Sequence, residues 1–206
     1  MRADFSADNA RLAGHSIEVS ARYRASMAKS LLENIEKQAP DLIEVLPQDV
    51  VDEIHKASKA DWIPGGRVEA LYAAVMAAGG EDRLMEVNRR YTRDAMKVPV
   101  FGPLIKGATN LFGGGPRGMM RIMPNSWDLM SRDCGKLTVE FPSDHEALIR
   151  YSELAAELRT RGFAVSSAAS ALGVFDGLGV TGTADIDDSR LASDGLLEIL
   201  ARWTPS

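Results

Sequence analysis

The chain has 206 residues, 45% of them apolar, with a formal net charge of −5. That length suits one domain of ordinary size, and the apolar share excludes a disordered polyampholyte. No apolar run reaches the roughly 18 residues of a membrane span, the start lacks the apolar core of a signal peptide, and the single cysteine, Cys134, excludes a disulfide framework or a cysteine-based zinc site. A cytoplasmic protein is the expectation.

Residues 1–14 are polar and without period, which predicts a loose tail. Ser16 can cap a helix, and Ile17, Ala21, Ala28, Leu31 and Ile35 recur at helical spacing up to Gln38, where Pro40 stops the run. Pro47, Val50, Val51 and Ile54 predict a short second helix. Asp61-Trp62-Ile63-Pro64-Gly65-Gly66 reads as a turn cluster and a boundary. The domain organisation expected is a helical extension over 1–61 followed by an α+β domain over 62–206.

Beyond the turn, Val68, Leu71, Tyr72, Val75 and Met76 form an amphipathic stripe that Gly79-Gly80 ends. Leu84, Val87, Tyr91 and Ala95 define a further helix, and so short a connection predicts that the two lie antiparallel. Leu104 to Phe112 predicts a third helix, which Gly113-Gly114-Gly115 breaks. Pro116 starts a short turn through Met119, Met120 and Met123, and Pro124 is expected to end it. Trp127, Leu129 and Ser131 alternate with polar neighbours, as do Leu137, Val139 and Phe141. A hairpin through Asp133-Cys134-Gly135 is one reading, and a helical 126–132 is the other. Asp144 can cap a helix with Ala147, Tyr151, Leu154, Ala155 and Leu158 inward. Gly162 interrupts it before a small-residue helix over 163–172. Residues 180–187 and 197–203 alternate as two antiparallel strands. The fold class expected is α+β: N-terminal helices, then an antiparallel sheet of three to four strands with helices on one face.

Charge is uneven along the chain. Residues 1–64 carry 8 basic and 11 acidic side chains, 65–134 carry 10 and 7, and 135–206 carry 6 and 11. The middle is thus a basic island, suited to an anion or an acidic surface, or to pairing with the acidic ends. Gly113-Gly114-Gly115-Pro116-Arg117-Gly118 could cradle an anion at a helix start, with Arg117 and Arg121 four apart on one face, or could be a plain connection. Met119, Met120, Met123 and Met130 cluster around Trp127. With Tyr91, Phe101 and Phe112 they can line an adaptable apolar pocket or simply fill a core.

Catalytic signatures are missing: no phosphate-binding Gly-rich motif sits between strand and helix, no Gly-x-Ser-x-Gly elbow occurs, and His15, His55 and His145 have no partner histidine at metal-ligand spacing. An acidic chain without a reading motif is no nucleic-acid binder. The expected function is a non-enzymatic regulatory or sensor module without a cofactor. It would bind a small hydrophobic or anionic ligand, or a partner protein, through residues 91–130. Tyr91, Met120 and Trp127 would supply apolar contact, and Arg93, Arg117 and Arg121 the charge. Two alternatives stand beside it: an adaptor whose 16–38 helix pairs with another chain, including a second copy, and an enzyme using His145, Cys134 or Asp185.

The run Gly66-Arg67-Val68-Glu69-Ala70-Leu71-Tyr72, the Gly79-Gly80 break, the helix through Tyr91, Met123-Pro124 and the last strand ending in Trp203 resemble a large paralogous family of myxobacterial proteins. That family is similar in turn to the haem–nitric-oxide-binding and four-vinyl-reductase type of α+β domain. The resemblance, over about residues 62–203, implies helices enclosing a pocket above an antiparallel sheet, and a sensor or interaction role. Haem-binding members hold iron through a helical histidine and the propionates through Tyr-x-Ser-x-Arg. This chain has Tyr91-Thr92-Arg93 and no histidine between His55 and His145. With one cysteine it also lacks the cysteine and histidine set of the four-vinyl-reductase branch.

Overall fold

A computed structural model describes residues 20–96 and 115–204 of the chain. In order come β1 (Arg22–Arg24), α1 (Ala25–Gln38), a 3-10 turn (Pro40–Val45), α2 (Gln48–Lys56), β2 (Trp62–Pro64), the long α3 (Gly65–Ala95), α4 (Pro116–Met130), β3 (Ser131–Arg132), β4 (Lys136–Ser143), β5 (Glu146–Ser152), α5 (Arg161–Leu178), β6 (Gly182–Asp187), the single turn α6 (Leu191–Asp194) and β7 (Leu197–Trp203). The expected 104–112 helix, Phe101 and Phe112 lie outside the described residues.

The main sheet is antiparallel throughout, in the order β4-β5-β7-β6. Alternation drives it: Ala147, Ile149 and Tyr151 on β5 and Leu197, Ile199, Ala201 and Trp203 on β7 are buried on one face. Ile149 sits opposite Ile199, and Ile199 opposite Ile186. The other face is charged. Arg150 bridges Glu140 and Glu198, and Arg202 bridges Glu146 and Asp185. The α+β expectation and the final pair of strands hold. A second sheet, β2-β1-β3, was not foreseen.

Several expectations are corrected. Helix α1 begins at Ala25, after Arg22–Arg24, which the small sheet takes as its central strand; Ser16 and Ile17, expected at the helix start, lie outside the described residues. Its stripe is no free seam for another chain. Ala25, Ala28, Leu31, Leu32 and Ile35 are all at most 1% exposed within this chain's own core. The core is also continuous across residue 61, from Leu31 to Phe175.

Gly79-Gly80 does interrupt the helical path, as expected: Gly80 takes φ 75° and ψ −174°, outside the helical region, so α3 is two helical segments joined at a kink that costs a glycine little. Both segments meet α5, Glu69 at Thr160, Glu81 at Arg161 and Arg89 at Asp176. Pro124, by contrast, does not end α4. It sits inside a helix of 15 residues, so 126–130 is helical and the hairpin expected across Asp133-Cys134-Gly135 does not form. Only Ser131 and Arg132 extend, and they pair with β1.

Residues 146–152 form a strand, not the Asp144-capped helix. Glu-Ala-Leu-Ile-Arg-Tyr-Ser satisfies both periods, and pairing with β4 and β7 on its two sides decides between them. Gly162 does not interrupt α5. It lies within the first turn and lets the helix approach α3, since a Cβ there would meet the Tyr72 Cβ at 3.2 Å.

Candidate functional site

The C-terminal half of α3, α4 and α5 stand around one end of the main sheet and leave a cavity of about 250 Å³ among them. Tyr91, Thr92, Ala95 and Met96 face it from α3; Met119, Ile122, Met123, Ser126, Trp127 and Met130 from α4; and Ser170 and Val174 from α5. Leu137 of β4, Tyr151 of β5 and Met27 of α1 complete the wall. Thr92 and Met96 are four apart on α3, as are Met119, Met123 and Trp127 on α4, so helical spacing alone brings each set to one side.

Five of the lining residues are methionines, unbranched side chains that repack at small cost. The aromatic part of the wall is rigid by contrast. Trp127 meets Tyr23, Tyr151 and Phe163 edge-on, at ring-centre distances of 6.1, 5.2 and 6.1 Å. Its indole N–H donates to the Gly135 carbonyl at 3.2 Å, which ties α4 to the start of β4. Gly135 has φ 92°, and a Cβ there would lie 2.5 Å from the Ser152 carbonyl, so no other residue fits that turn.

The polar groups of the described wall are hydroxyls. Ser126 and Ser170 spend their protons on the carbonyls of Ile122 and Ser166. The Tyr151 phenol hydrogen-bonds with Ser167, and burial pushes it up to about 12. Burial alone pushes Tyr91 up to about 12, so it stays a neutral phenol. No carboxylate, amine or guanidinium is among the described lining residues.

The residues expected to form the site therefore divide. Tyr91 and Trp127 face the cavity. Met120 is fully buried in the core beside it. Arg93 pairs with Asp94 at 3.0 Å. Arg117 reaches the other way, donating to Asp144 at 2.8 Å and to the Ser143 carbonyl at 3.3 Å. It lies 4.7 Å from the Phe141 ring centre, and Arg121 lies 5.5 Å from the same ring. The two arginines thus share a face, as their spacing predicts, but that face is the tip of the β4–β5 hairpin. Thr92, Ser170 and Val174 were missed; on sequence they belong to ordinary helix surfaces, and only the packing of α3 on α5 selects them.

The three residues of the enzyme alternative are dispersed. Cys134 is 1% exposed, with its sulfur 3.2 Å from the Arg132 carbonyl and 3.4 Å from that of Arg22. Burial pushes its thiol up to about 11, the wrong direction for a nucleophile. His145 sits in the turn at the far end of β4, roughly 25 Å away at the rise of a strand. It packs edge-on to Trp203 at 6.3 Å. Asp185 is committed to Arg202 on the charged face. Among the described residues no three His, Cys, Asp or Glu side chains could hold a metal together.

Comparison with known proteins shows the fold. An unliganded Fe(II) H-NOX protein from K. algicida superposes with a TM-score of 0.62 at 9% identity, over 89% of this chain and 97% of that one. An oxygen-binding H-NOX domain related to soluble guanylate cyclases gives 0.57 at 12%, over 88% and 95%. The I5F mutant of the T. Tengcongensis H-NOX gives 0.58 at 11%, over 89% and 98%. No protein-family model and no curated protein matches the chain.

Proposed function

We propose that this chain is a non-enzymatic sensor module that takes a small, largely apolar ligand into the cavity behind Tyr91 and Trp127 and passes its occupancy to a partner protein. The observation that carries this is the apolar wall of thioethers and aromatic rings, in a fold whose solved examples include oxygen-binding domains. No helix among the described residues is long and apolar enough to cross a membrane. A volume of about 250 Å³ is just below the roughly 300–1,000 Å³ of drug-sized pockets, which points to a compact ligand. The wall's hydroxyls can orient one polar group of that ligand, and its neutrality disfavours an anion there.

Haem, whose distortion and redox potential are the subject of two of the structures this fold resembles, does not fit these residues. An iron porphyrin needs an axial donor and cations for its propionates. Neither described histidine reaches the cavity: His55 lies 3.4 Å from Glu36 and His145 abuts Trp203. Tyr91 is in place but is held as the phenol rather than the phenolate that ligates iron.

The test is a titration with N-phenyl-1-naphthylamine, a neutral probe that brightens in apolar surroundings. We expect saturable one-to-one binding that quenches Trp127. The substitutions Val174→Phe and Ala95→Phe, which fill the cavity from two helices, should each abolish it. A parent protein that shows no saturable brightening, or two folded variants that bind as the parent does, would reject the cavity as the site.

A further inference from the structure

The small sheet presents a second surface, built by residues far apart in sequence. On β1, Tyr23 points into the core, so Arg22 and Arg24 point out. Register places Arg22 opposite both Pro64 and Arg132, and Arg24 opposite Trp62. Ile63 and Ser131 are the buried neighbours on the flanking strands. The outward face is therefore Arg22, Arg24, Arg132, Trp62 and Pro64. The guanidinium carbons of Arg24 and Arg132 lie 4.0 and 4.5 Å from the Trp62 ring centre.

This face departs from what most described arginines do, although Arg159 too donates to carbonyls, those of Leu154 and Ser193, and not to a carboxylate. Arg67, Arg83, Arg89, Arg90, Arg93, Arg117, Arg150, Arg161, Arg190 and Arg202 each form an ion pair with a carboxylate. Arg22, Arg24 and Arg132 form none among the described residues, although the chain is acidic overall. Among the described residues Arg24 donates only to the Ala60 carbonyl. The carboxylate beside Trp62, Asp61, accepts from the Ser58 backbone instead. Two arginines held directly opposite on adjacent strands repel each other, so the arrangement works against the isolated sheet.

We propose that this arginine–tryptophan face docks a short acidic segment of a partner protein, whose carboxylates would complete the ion pairs that the described residues leave open. Guanidinium groups take carboxylates two N–H bonds at a time, and the half-buried Trp62 between them supplies apolar contact area. The net charge of −5 repels an extended polyanion, and the face spans only three strands. Both facts favour a short peptide over nucleic acid. The face also adjoins the cavity wall: α4 carries Trp127 and Met130 and runs straight into Ser131 and Arg132, while Tyr23 of β1 packs on Trp127. Docking here does not require the cavity to be filled.

The experiment is fluorescence anisotropy on the full chain with a fluorescein-labelled hexaglutamate peptide at low ionic strength. Saturable binding is expected, weakened about tenfold by Arg22→Gln with Arg132→Gln and comparably by Arg24→Gln. Arg190→Gln, on an arginine already paired within the chain, should leave it unchanged. The double variant should unfold at or above the parent's temperature, because a like-charge pair is relieved. No binding by the parent, equal binding by the variants, or a lower unfolding temperature would overturn the proposal. The last result would mean that the arginines brace the sheet. Tighter binding of octathymidylate than of hexaglutamate would also overturn it, in favour of a nucleic-acid surface. N-phenyl-1-naphthylamine binding should be untouched by these substitutions, which keeps this result separate from the fate of the cavity.

Discussion

Two neighbouring residues of α5, Val174 and Phe175, face different kinds of interior. Phe175 is fully buried, 5.7 Å from the Trp203 ring centre, and a Cβ added at Gly182 would lie 2.4 Å from its ring. Val174, one residue back, looks into the methionine-lined cavity. One helix thus separates a close-packed interior from an adaptable one. The difference teaches where the molecule spends its stability and where it keeps room. On the packed side small residues let backbones touch; on the other, thioethers and hydroxyls surround a space that the fold does not fill.

If that division is real, truncation on the packed side should cost most. Phe175→Ala should lose about 3–5 kcal/mol, read by urea unfolding, because the site has rigid neighbours and cannot collapse. A comparable loss from Val174→Ala would break the contrast, since the valine already borders open space.

Glu69 sharpens the same comparison from the side of charge. It is 7% exposed where α3 meets the start of α5; one oxygen accepts from the Thr160 hydroxyl and the other has no partner among the described residues. Burial pushes its carboxyl from 4.5 up to about 8, against the lowering effect of Thr160. The folded state therefore holds this proton more tightly than the unfolded chain. Its contribution is fully present below about pH 4.5 and is lost as pH rises towards about 8. Glu69→Gln should remove that decline, leaving the variant more stable than the parent by roughly 2–4 kcal/mol at pH 8 and nearly equal to it at pH 4. Urea unfolding at the two pH values reads the difference. A parent whose stability is flat across that window would show that the cavity-free side tolerates a buried charge.

The sequence shows part of this division and hides the rest for identifiable reasons. The amphipathic stripe of α3 and the alternation of β6 and β7 each follow one period, and both elements are where the pattern places them. Tyr91 and Trp127 could be named because methionines and aromatics crowd that stretch. β5 was misread because seven residues fit two periods at once, and strand pairing at long range settles the choice. Three-residue strands such as Arg22–Arg24 and Trp62–Pro64 are too short to carry any period. The arginine face was therefore invisible until residues 22, 62 and 132 were brought together. Glu69 reads as a solvent-side residue of an amphipathic helix, and only the close approach of Thr160 buries it.

The smallest effects should come from exchanging shapes rather than removing them, and there the two sides of α5 part most clearly. At Gly173 an added Cβ would lie 2.6 Å from both the Arg89 carbonyl oxygen and the Thr92 Cβ. A backbone carbonyl cannot swing aside as a side-chain tip can. Alanine gains up to about 1 kcal/mol of helix propensity over glycine, yet Gly173→Ala should still destabilise, by about 1–3 kcal/mol, because α3 must move away from α5. Across the helix, Met123→Leu changes shape at nearly constant volume next to open space, and should cost less than about 1.5 kcal/mol. Urea midpoints at unchanged slope measure both. An ordering reversed between these two substitutions would mean that the methionine wall, not the glycine contact, is the rigid side, and that the cavity is a packed core with a flaw rather than a place kept open for a guest.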